Sequence, residues 1–201
     1  MKEIFVIKIG GSVLLNKQQE LDADHMAEIA GQIAMLQKAG LGVVLVISGA
    51  VATGSHVVDL SQRLGYKRQA AAGVGQVRVI ADLQVIFSRE KITIAQMLIT
   101  KHEFLSTQQE IKRLLLYYVM NDVVPVINEN DVMELNSFGG NDLLAAEVAR
   151  LLHAKKLIML SSMNRSAHAT GGGATKYQAI AQLRDFNIEA CIVDGREKNV
   201  L

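Results

Sequence analysis

The 201-residue sequence has one cysteine, Cys191, one proline, Pro125, and no tryptophan. A lone cysteine excludes an internal disulfide and argues against a thiolate metal centre. Charge of one sign is also missing: 21 basic residues face 20 acidic ones, giving +1. Without basic blocks there is no electrostatic footprint for nucleic acid or for an anionic membrane. Charged residues interrupt the chain too often for 18 consecutive apolar residues. Lys2, Glu3 and Lys8 likewise break up any cleavable leader, so neither a membrane span nor export is expected and the protein reads as cytoplasmic. What remains is a folding chain, 50% hydrophobic with mean hydropathy +0.22, long enough for one full core. A single domain over 1–201 is expected.

Six short runs rich in β-branched or other apolar residues, at 4–9, 43–47, 92–98, 123–127, 156–160 and 188–193, alternate with segments of helical period. That alternation predicts an α/β fold, a three-layer α/β/α sandwich with a mainly parallel central sheet. Met26, Ile29, Ile33 and Leu36 predict a helix with Asp22 as N-cap and Gly40 as a left-handed C-cap. Thr107 and Glu110 form a capping-box pair ahead of a helix ending near Asn121. Helices are expected over 50–64, 68–88 and 175–186. Gly73 and Gly75 lower the propensity of the second, and close backbone approach is one explanation. Pro125, inside a strand, predicts an irregular or edge position.

In an open parallel sheet, ligands bind beyond the carboxyl ends of the strands. The residues there are Gly10, Gly11 and Ser12; Ser48, Gly49 and Ala50; Asn128, Glu129, Asn130 and Asp131; and Ser161 and Ser162. Each such group alone is ordinary turn chemistry. Lys8, flanked by Val6, Ile7 and Ile9, puts an ammonium on a strand that reads as buried, so it calls for an anionic partner. The alternative is a lysine snorkelling from an edge strand. With Gly10 and Gly11 beside it, a phosphate is the preferred reading. Gly171, Gly172 and Gly173 run into a helix that carries Lys176 in its first turn, a second anion-binding arrangement or an ordinary mobile loop. The order is not that of a P-loop. Two lysines from distant strand ends would flank one transferring phosphoryl group.

Asn128 to Asp131 alternate amides and carboxylates, and Gly139, Gly140, Asn141 and Asp142 head a further helix. Asn141 or Asp142 is a candidate N-cap. The cluster as a whole suits a zwitterion, because an acid takes the ammonium while amides and backbone donors take the carboxylate. Asp142 between the lysines would hold them in place. The histidines His25, His56, His102, His153 and His168 lack metal-ligand spacing, so no metal site is expected. No nucleophile elbow is present. Cys191 reads as a small buried hydrophobe.

Taken in order, 8–14 (KIGGSVL), 48–54 (SGAVATG), 69–76 (QAAAGVGQ), 95–100 (AQMLIT) and 124–131 (VPVINEND) resemble the successive motifs of the glutamate 5-kinase family, in the amino acid kinase superfamily. The likeness continues through Asn141 and Asp142 to about residue 160 and resumes at Thr170, Gly171, Gly172 and Lys176. It implies phosphorylation of the side-chain carboxylate of L-glutamate by ATP with Mg²⁺, the first step of proline synthesis. Carried over, Lys8, Lys176 and Asp142 are catalytic. Ser48, Gly49, Asn128, Asp131 and Asn141 bind the amino acid, and Lys8, Gly10, Gly11, Ser161, Ser162, Gly171, Gly172 and Lys176 line the nucleotide path. It also implies a homo-oligomer, dimer or tetramer, in which the alanine-rich helix from Arg68 packs against a twin or within its own chain. Contact with glutamate-5-semialdehyde dehydrogenase, the reductase that follows, is a further expectation.

Departures from the family sit on the nucleotide side. Gly140 replaces the aspartate usual before the Asn-Asp pair, and Ser161 and Ser162 replace a threonine-aspartate pair. The segment between Ser162 and Thr170 is much shorter than usual, and the appended RNA-modification-type domain is missing. A catalytically weak amino-acid or nucleotide sensor, and a kinase for another carboxylate, remain open as alternatives.

Overall fold

The computed structural model describes residues 2–62, 64–162 and 172–201. Six strands form one sheet: β1 (Ile4–Ile9), β2 (Gly42–Ile47), β3 (Thr93–Ile99), β4 (Val123–Glu129), β5 (Lys156–Ser161) and β6 (Glu189–Asp194). Their order is β3-β4-β2-β1-β5-β6, and every pairing is parallel. All carboxyl ends therefore share one rim. The helices are α1 (Gly11–Leu14), α2 (Ala23–Lys38), α3 (Ala50–Gly54), α4 (Gly65–Arg89), α5 (Lys101–Ser106), α6 (Gln108–Met120), α7 (Asn141–Leu152) and α8 (Gly172–Leu183).

Side-chain alternation along the strands divides the core into two layers. Ile7, Ile9, Leu45 and Ile47 face α2 and α4, burying Met26, Ile29, Val79 and Leu83. Ile4, Val6, Val44 and Val46 face the opposite side, burying Leu115, Leu144, Val148 and Leu183 of α6, α7 and α8. This is the expected three-layer α/β/α sandwich. It also fixes Lys8, which by the same alternation faces α7.

Several local expectations need correction. The helix expected over 50–64 stops at Gly54. The capping box belongs to Thr100 and Glu103, at the start of α5. Thr107 makes no side-chain cap, because its hydroxyl donates to the Glu103 carbonyl where α5 and α6 abut. Pro125 is neither irregular nor at an edge: β4 lies inside the sheet, and its ladder with β2 pairs Val126 and Ile127, just past the residue that has no N–H. Cys191 is half-buried on edge strand β6. The helix expected over 175–186 is helical from Gly172 to Leu183 and continues as one 3-10 turn.

Other expectations hold. Asp22 accepts from the His25 amide at the start of α2, and Gly40 follows its end at φ +83°. The low-propensity Gly75 is a point of contact: a Cβ there would stand 1.8 Å from the Ala50 carbonyl oxygen, so only glycine lets α3 and α4 cross. Ala71 and Ala72 are buried in that chain's own interior. The 25-residue α4 is long and apolar enough to cross a membrane, although its Ala71, Val79 and Leu83 face is core.

Candidate functional site

Lys8 sits on central strand β1 with neighbours on both sides, which removes the edge-strand alternative. Its side chain is 6% exposed, and its Nζ lies 2.6 Å from Asp142 Oδ1. From α8, Lys176 Nζ reaches the other carboxylate oxygen at 3.2 Å, and the Thr175 hydroxyl donates to that same oxygen at 2.8 Å. Two ammonium groups separated by 168 positions in the sequence thus meet on one buried carboxylate. In the described helix Lys176 falls in the second turn, so it serves through its side chain and not through a first-turn position.

The electrostatics follow from this packing. Burial would raise the Asp142 carboxyl, but the Lys8 charge and hydrogen bond, the Lys176 charge and the Thr175 hydroxyl together hold it below its ordinary value of 3.8. Burial lowers the Lys8 ammonium, Asp142 offsets only part of that, and the nearby Lys176 charge lowers it further. An additional anion beside Lys8 would offset the burial that Asp142 leaves uncompensated.

Asp142 reaches this position because α7 starts abruptly. Its N-cap is Gly140 at φ +121°, a conformation that disfavours side chains, and no side chain caps the helix. Asn141 and Asp142 are therefore its first two residues and not caps, which releases both for other contacts. Glu129, 4% exposed at the end of β4, braces the loop before them. Its Oε1 accepts from the Phe138 amide at 2.7 Å, while Phe138 packs edge-on against Phe104 with centroids 5.6 Å apart. Burial pushes the Glu129 carboxyl up in spite of the Phe138 amide, with Asp131 adding to the rise.

Next to this loop lies a cavity of about 510 Å³ lined by Gly49, Ala50, Arg68, Asn128, Asp131 and Asn141 among others. Volume alone marks nothing, since two hollows of about 500 Å³ open at the amino ends of the strands, around Asp122 and around Glu3. The rim decides. Asp131 Oδ1 accepts from the Asn136 amide at 2.8 Å, which fixes the carboxylate at the cavity wall. Arg68, which the sequence served only to start a helix, adds an exposed cation there.

Of the expected amino-acid residues, the structure brings Gly49, Asn128, Asp131 and Asn141 together in the cavity lining. Ser48 is half-buried just before Gly49 and is not part of that lining. Gly10 and Gly11 lie where expected: a Cβ on Gly10 would stand 3.7 Å from Lys8 Nζ, and one on Gly11 would stand 3.8 Å from the Gly49 Cα. The glycine loop thus connects the lysine pair to the cavity. Ser162 lines a separate hollow of about 450 Å³ with Ser12 and Arg196, and its hydroxyl donates to Ser12 at 2.9 Å. Ser161 ends β5, and its carbonyl accepts from Gly195. Gly172 opens α8, while Gly171, Thr170 and His168 lie outside the described residues. Among the described residues no three histidine, cysteine, aspartate or glutamate side chains form a metal-binding group.

Comparison with known proteins gives one consistent picture. The model of the amino acid kinase family matches residues 3–165. The chain is 33% identical to glutamate 5-kinase 2 of Pseudoalteromonas translucida over 99% of its own length and 65% of that protein. It is 31% identical to glutamate 5-kinase of Shewanella woodyi over 98% and 63% of the two chains. It therefore spans slightly under two thirds of the length of these curated relatives. The Pseudoalteromonas alignment runs over 241 positions, more than this chain contains, so the relative holds inserted residues. Among solved structures, isopentenyl phosphate kinase from T. acidophilum superposes with TM-score 0.67 at 13% identity, covering 96% of this chain and 91% of that one. UMP kinase from Bacillus anthracis does so with TM-score 0.67 at 14% identity, covering 98% and 89%. At such identities these two show the fold alone.

Proposed function

Because the chain belongs to the amino acid kinase family, we propose that it transfers the terminal phosphoryl group of ATP to the side-chain carboxylate of L-glutamate, giving L-glutamyl 5-phosphate, as in the first step of proline synthesis. The observation that carries this reading is the convergence of Lys8 and Lys176 on Asp142, beside a cavity lined by Asn128, Asp131 and Asn141. The two ammonium groups neutralise charge that develops on the oxygens of the transferring group, and Asp142 holds them in place through its two oxygens. The acceptor carboxylate is already ionised at neutral pH and is itself the nucleophile. No general base is needed, and catalysis is positioning plus electrostatics.

In the cavity, Asp131 takes the α-ammonium and the two asparagine amides take the α-carboxylate, with Gly49 completing that end and Ser48 next to it in sequence, outside the lining. The nucleotide lies toward Gly10, Gly11, Ser161, Ser162, Gly171 and Gly172. Lys8, Lys176 and the glycine loop fit a phosphate chain, because they offer cations and an approach free of side chains. Mg²⁺ would supply further charge neutralisation on the nucleotide's phosphates; among the described residues no group of three histidine, cysteine, aspartate or glutamate side chains forms a site for it. The protein acts as a homo-oligomer through the outer side of α4, where Val77 and Val85 are exposed. The acyl phosphate product is short-lived in water, which favours delivery to a reductase such as glutamate-5-semialdehyde dehydrogenase.

A coupled ADP-release assay across glutamate, aspartate and a carboxylate lacking the ammonium group tests this. Glutamate-dependent ADP formation with ATP supports the reading, and none above a Lys8→Ala control overturns it. Gly140 favours a second reading, an amino-acid-binding relative of slow turnover, because it leaves no side chain where the family pattern that the chain resembles has an aspartate. Calorimetry that finds glutamate bound without ATP selects it.

A further inference from the structure

The cavity presents two asparagine amides, and the hydrogen bonds behind them leave no freedom in which end faces a ligand. The backbone N–H of Glu129 donates to Asn128 Oδ1 at 3.0 Å and to Asn141 Oδ1 at 3.2 Å. A main-chain N–H meets only an acceptor, so both carbonyl oxygens turn inward and both NH₂ groups turn away from it. Asn128 then spends one of its two Nδ2 hydrogens on Gln76 Oε1, at 2.8 Å. Gln76 comes from α4, is 5% exposed, and stands on the helix face that carries Ala72, Val79 and Leu83 into the core. Its own Nε2 is buried without a partner among the described residues. A buried glutamine that leaves one end unsatisfied costs stability, and a leucine or methionine in its place would not. What it accomplishes instead is to anchor the far side of Asn128.

We propose that Gln76 is a specificity-determining positioning residue: with the Glu129 amide it locks Asn128 as a hydrogen-bond donor, so that this end of the cavity selects a carboxylate. The inference rests on the reading of the cavity as an amino-acid site. With Gln76 Oε1 present, Asn128 keeps one Nδ2 hydrogen for the cavity, beside the two of Asn141. All three are donors, which favours an anion and disfavours an amide N–H or an ammonium at the same spot. Asp131 provides the opposite chemistry at its own side of the cavity, so the two ends of a zwitterion are told apart by separate residues.

The test uses Gln76→Met, which keeps the volume and removes the acceptor, with three ligands. Glutamate has both α groups, 4-aminobutyrate lacks the α-carboxylate, and glutarate lacks the α-ammonium. Loss of one well-made hydrogen bond to a charged ligand corresponds to about tenfold. The variant is expected to weaken glutamate and glutarate about tenfold in KM or by calorimetry, to leave 4-aminobutyrate and the KM for ATP unchanged, and to keep kcat within about threefold. An equal loss for all three ligands would mean that Gln76 merely supports the fold and would overturn the proposal. Asn128→Asp, of nearly the same shape, is the second variant: an acceptor now faces the cavity, and glutamate should lose its advantage over 4-aminobutyrate. Retention of that advantage also overturns it. If the parent protein binds no glutamate, the functional reading fails by itself. Amide polarity is still read from the Asn128 side-chain NH₂ signals in ligand-free protein, which should exchange with water faster in Gln76→Met than in the parent. Equal exchange counts against Gln76.

Discussion

Replacing Asp142 by asparagine removes the carboxylate that joins buried Lys8 to part-buried Lys176 while keeping the shape of the side chain. In the parent, Asp142 Oδ1 lies 2.6 Å from Lys8 and Oδ2 lies 3.2 Å from Lys176, with the three side chains 7%, 6% and 15% exposed. Removing one partner of such a buried pair costs about 3–5 kcal/mol, because the remaining charge stays out of water. For a chain of this size that is a fall in Tm of about 6–20 °C. The Thr175 hydroxyl still finds an acceptor on the asparagine, so little of the loss is a hydrogen bond. Adding Lys8→Met removes the stranded charge and should return about 1–3 kcal/mol, a clear departure from additivity. pH supplies a sign. Without Asp142 nothing holds the proton on Lys8 against burial and Lys176, so its folded-state pKa drops further below the ordinary 10.5. The unfolded state then binds more protons than the folded one, and the variant gains stability as pH rises through that window. Urea unfolding of parent, both single variants and the double variant at pH 7 and pH 9 measures all of this. A loss below about 1 kcal/mol for Asp142→Asn, additive with Lys8→Met, would refute the burial of these charges as one unit.

Three other outcomes follow from the same geometry. Gly75→Ala places a methyl 1.8 Å from the Ala50 carbonyl oxygen, so the α3–α4 crossing should open at a cost of about 3 kcal/mol, seen as a lower urea midpoint. Because Ala50 lines the cavity, glutamate affinity falls with it. Glu129→Gln keeps an acceptor for the Phe138 amide. Since burial raises the Glu129 carboxyl in the folded state, the parent loses stability as pH rises from about the ordinary 4.5 through that raised value, and the variant should lose this dependence in urea titrations. Asp142, depressed below 3.8, acts in the opposite direction at lower pH, so the two contributions are separable. Asp131→Asn should raise the KM for glutamate about tenfold or more while sparing glutarate, as expected when a charged hydrogen bond to an ammonium is lost.

The sheet was legible because its strands are short runs rich in β-branched or other apolar residues, and each of the six lies within two residues of its expected ends. Lys8 was legible for the same reason, since a lysine inside such a run demands a partner. Asp142 was found as that partner, but its mechanism of placement was not: a helix beginning at Gly140 with a left-handed φ frees Asn141 and Asp142 from capping, which no residue count reveals. The capping box went to Thr107 and Glu110 because Thr100 and Glu103 carry the same pattern seven residues earlier, and sequence alone does not say where α5 ends and α6 begins. Gly54 ends α3 early because α4 crosses it, with a Cβ there only 1.9 Å from the Ala71 carbonyl, a tertiary fact. Arg68 was read only as the start of a helix, and Gln76 only as the end of the 69–76 motif, with no role of its own. For Gln76 a signal existed: a polar amide on the apolar stripe of Ala72, Val79 and Leu83 is as anomalous on a helix as Lys8 is on a strand.

The central claim is that Lys8 and Lys176 act together on one transferring group. Glutamate-dependent ADP release by Lys8→Met and Lys176→Met, alone and combined, tests it with glutamate binding measured alongside. Each single change should lower kcat by about 10²–10³ while glutamate binds within about threefold of the parent, and the double change should cost little more than the worse single one. A kcat within tenfold of the parent for either variant, or losses that multiply as for independent groups, would contradict it.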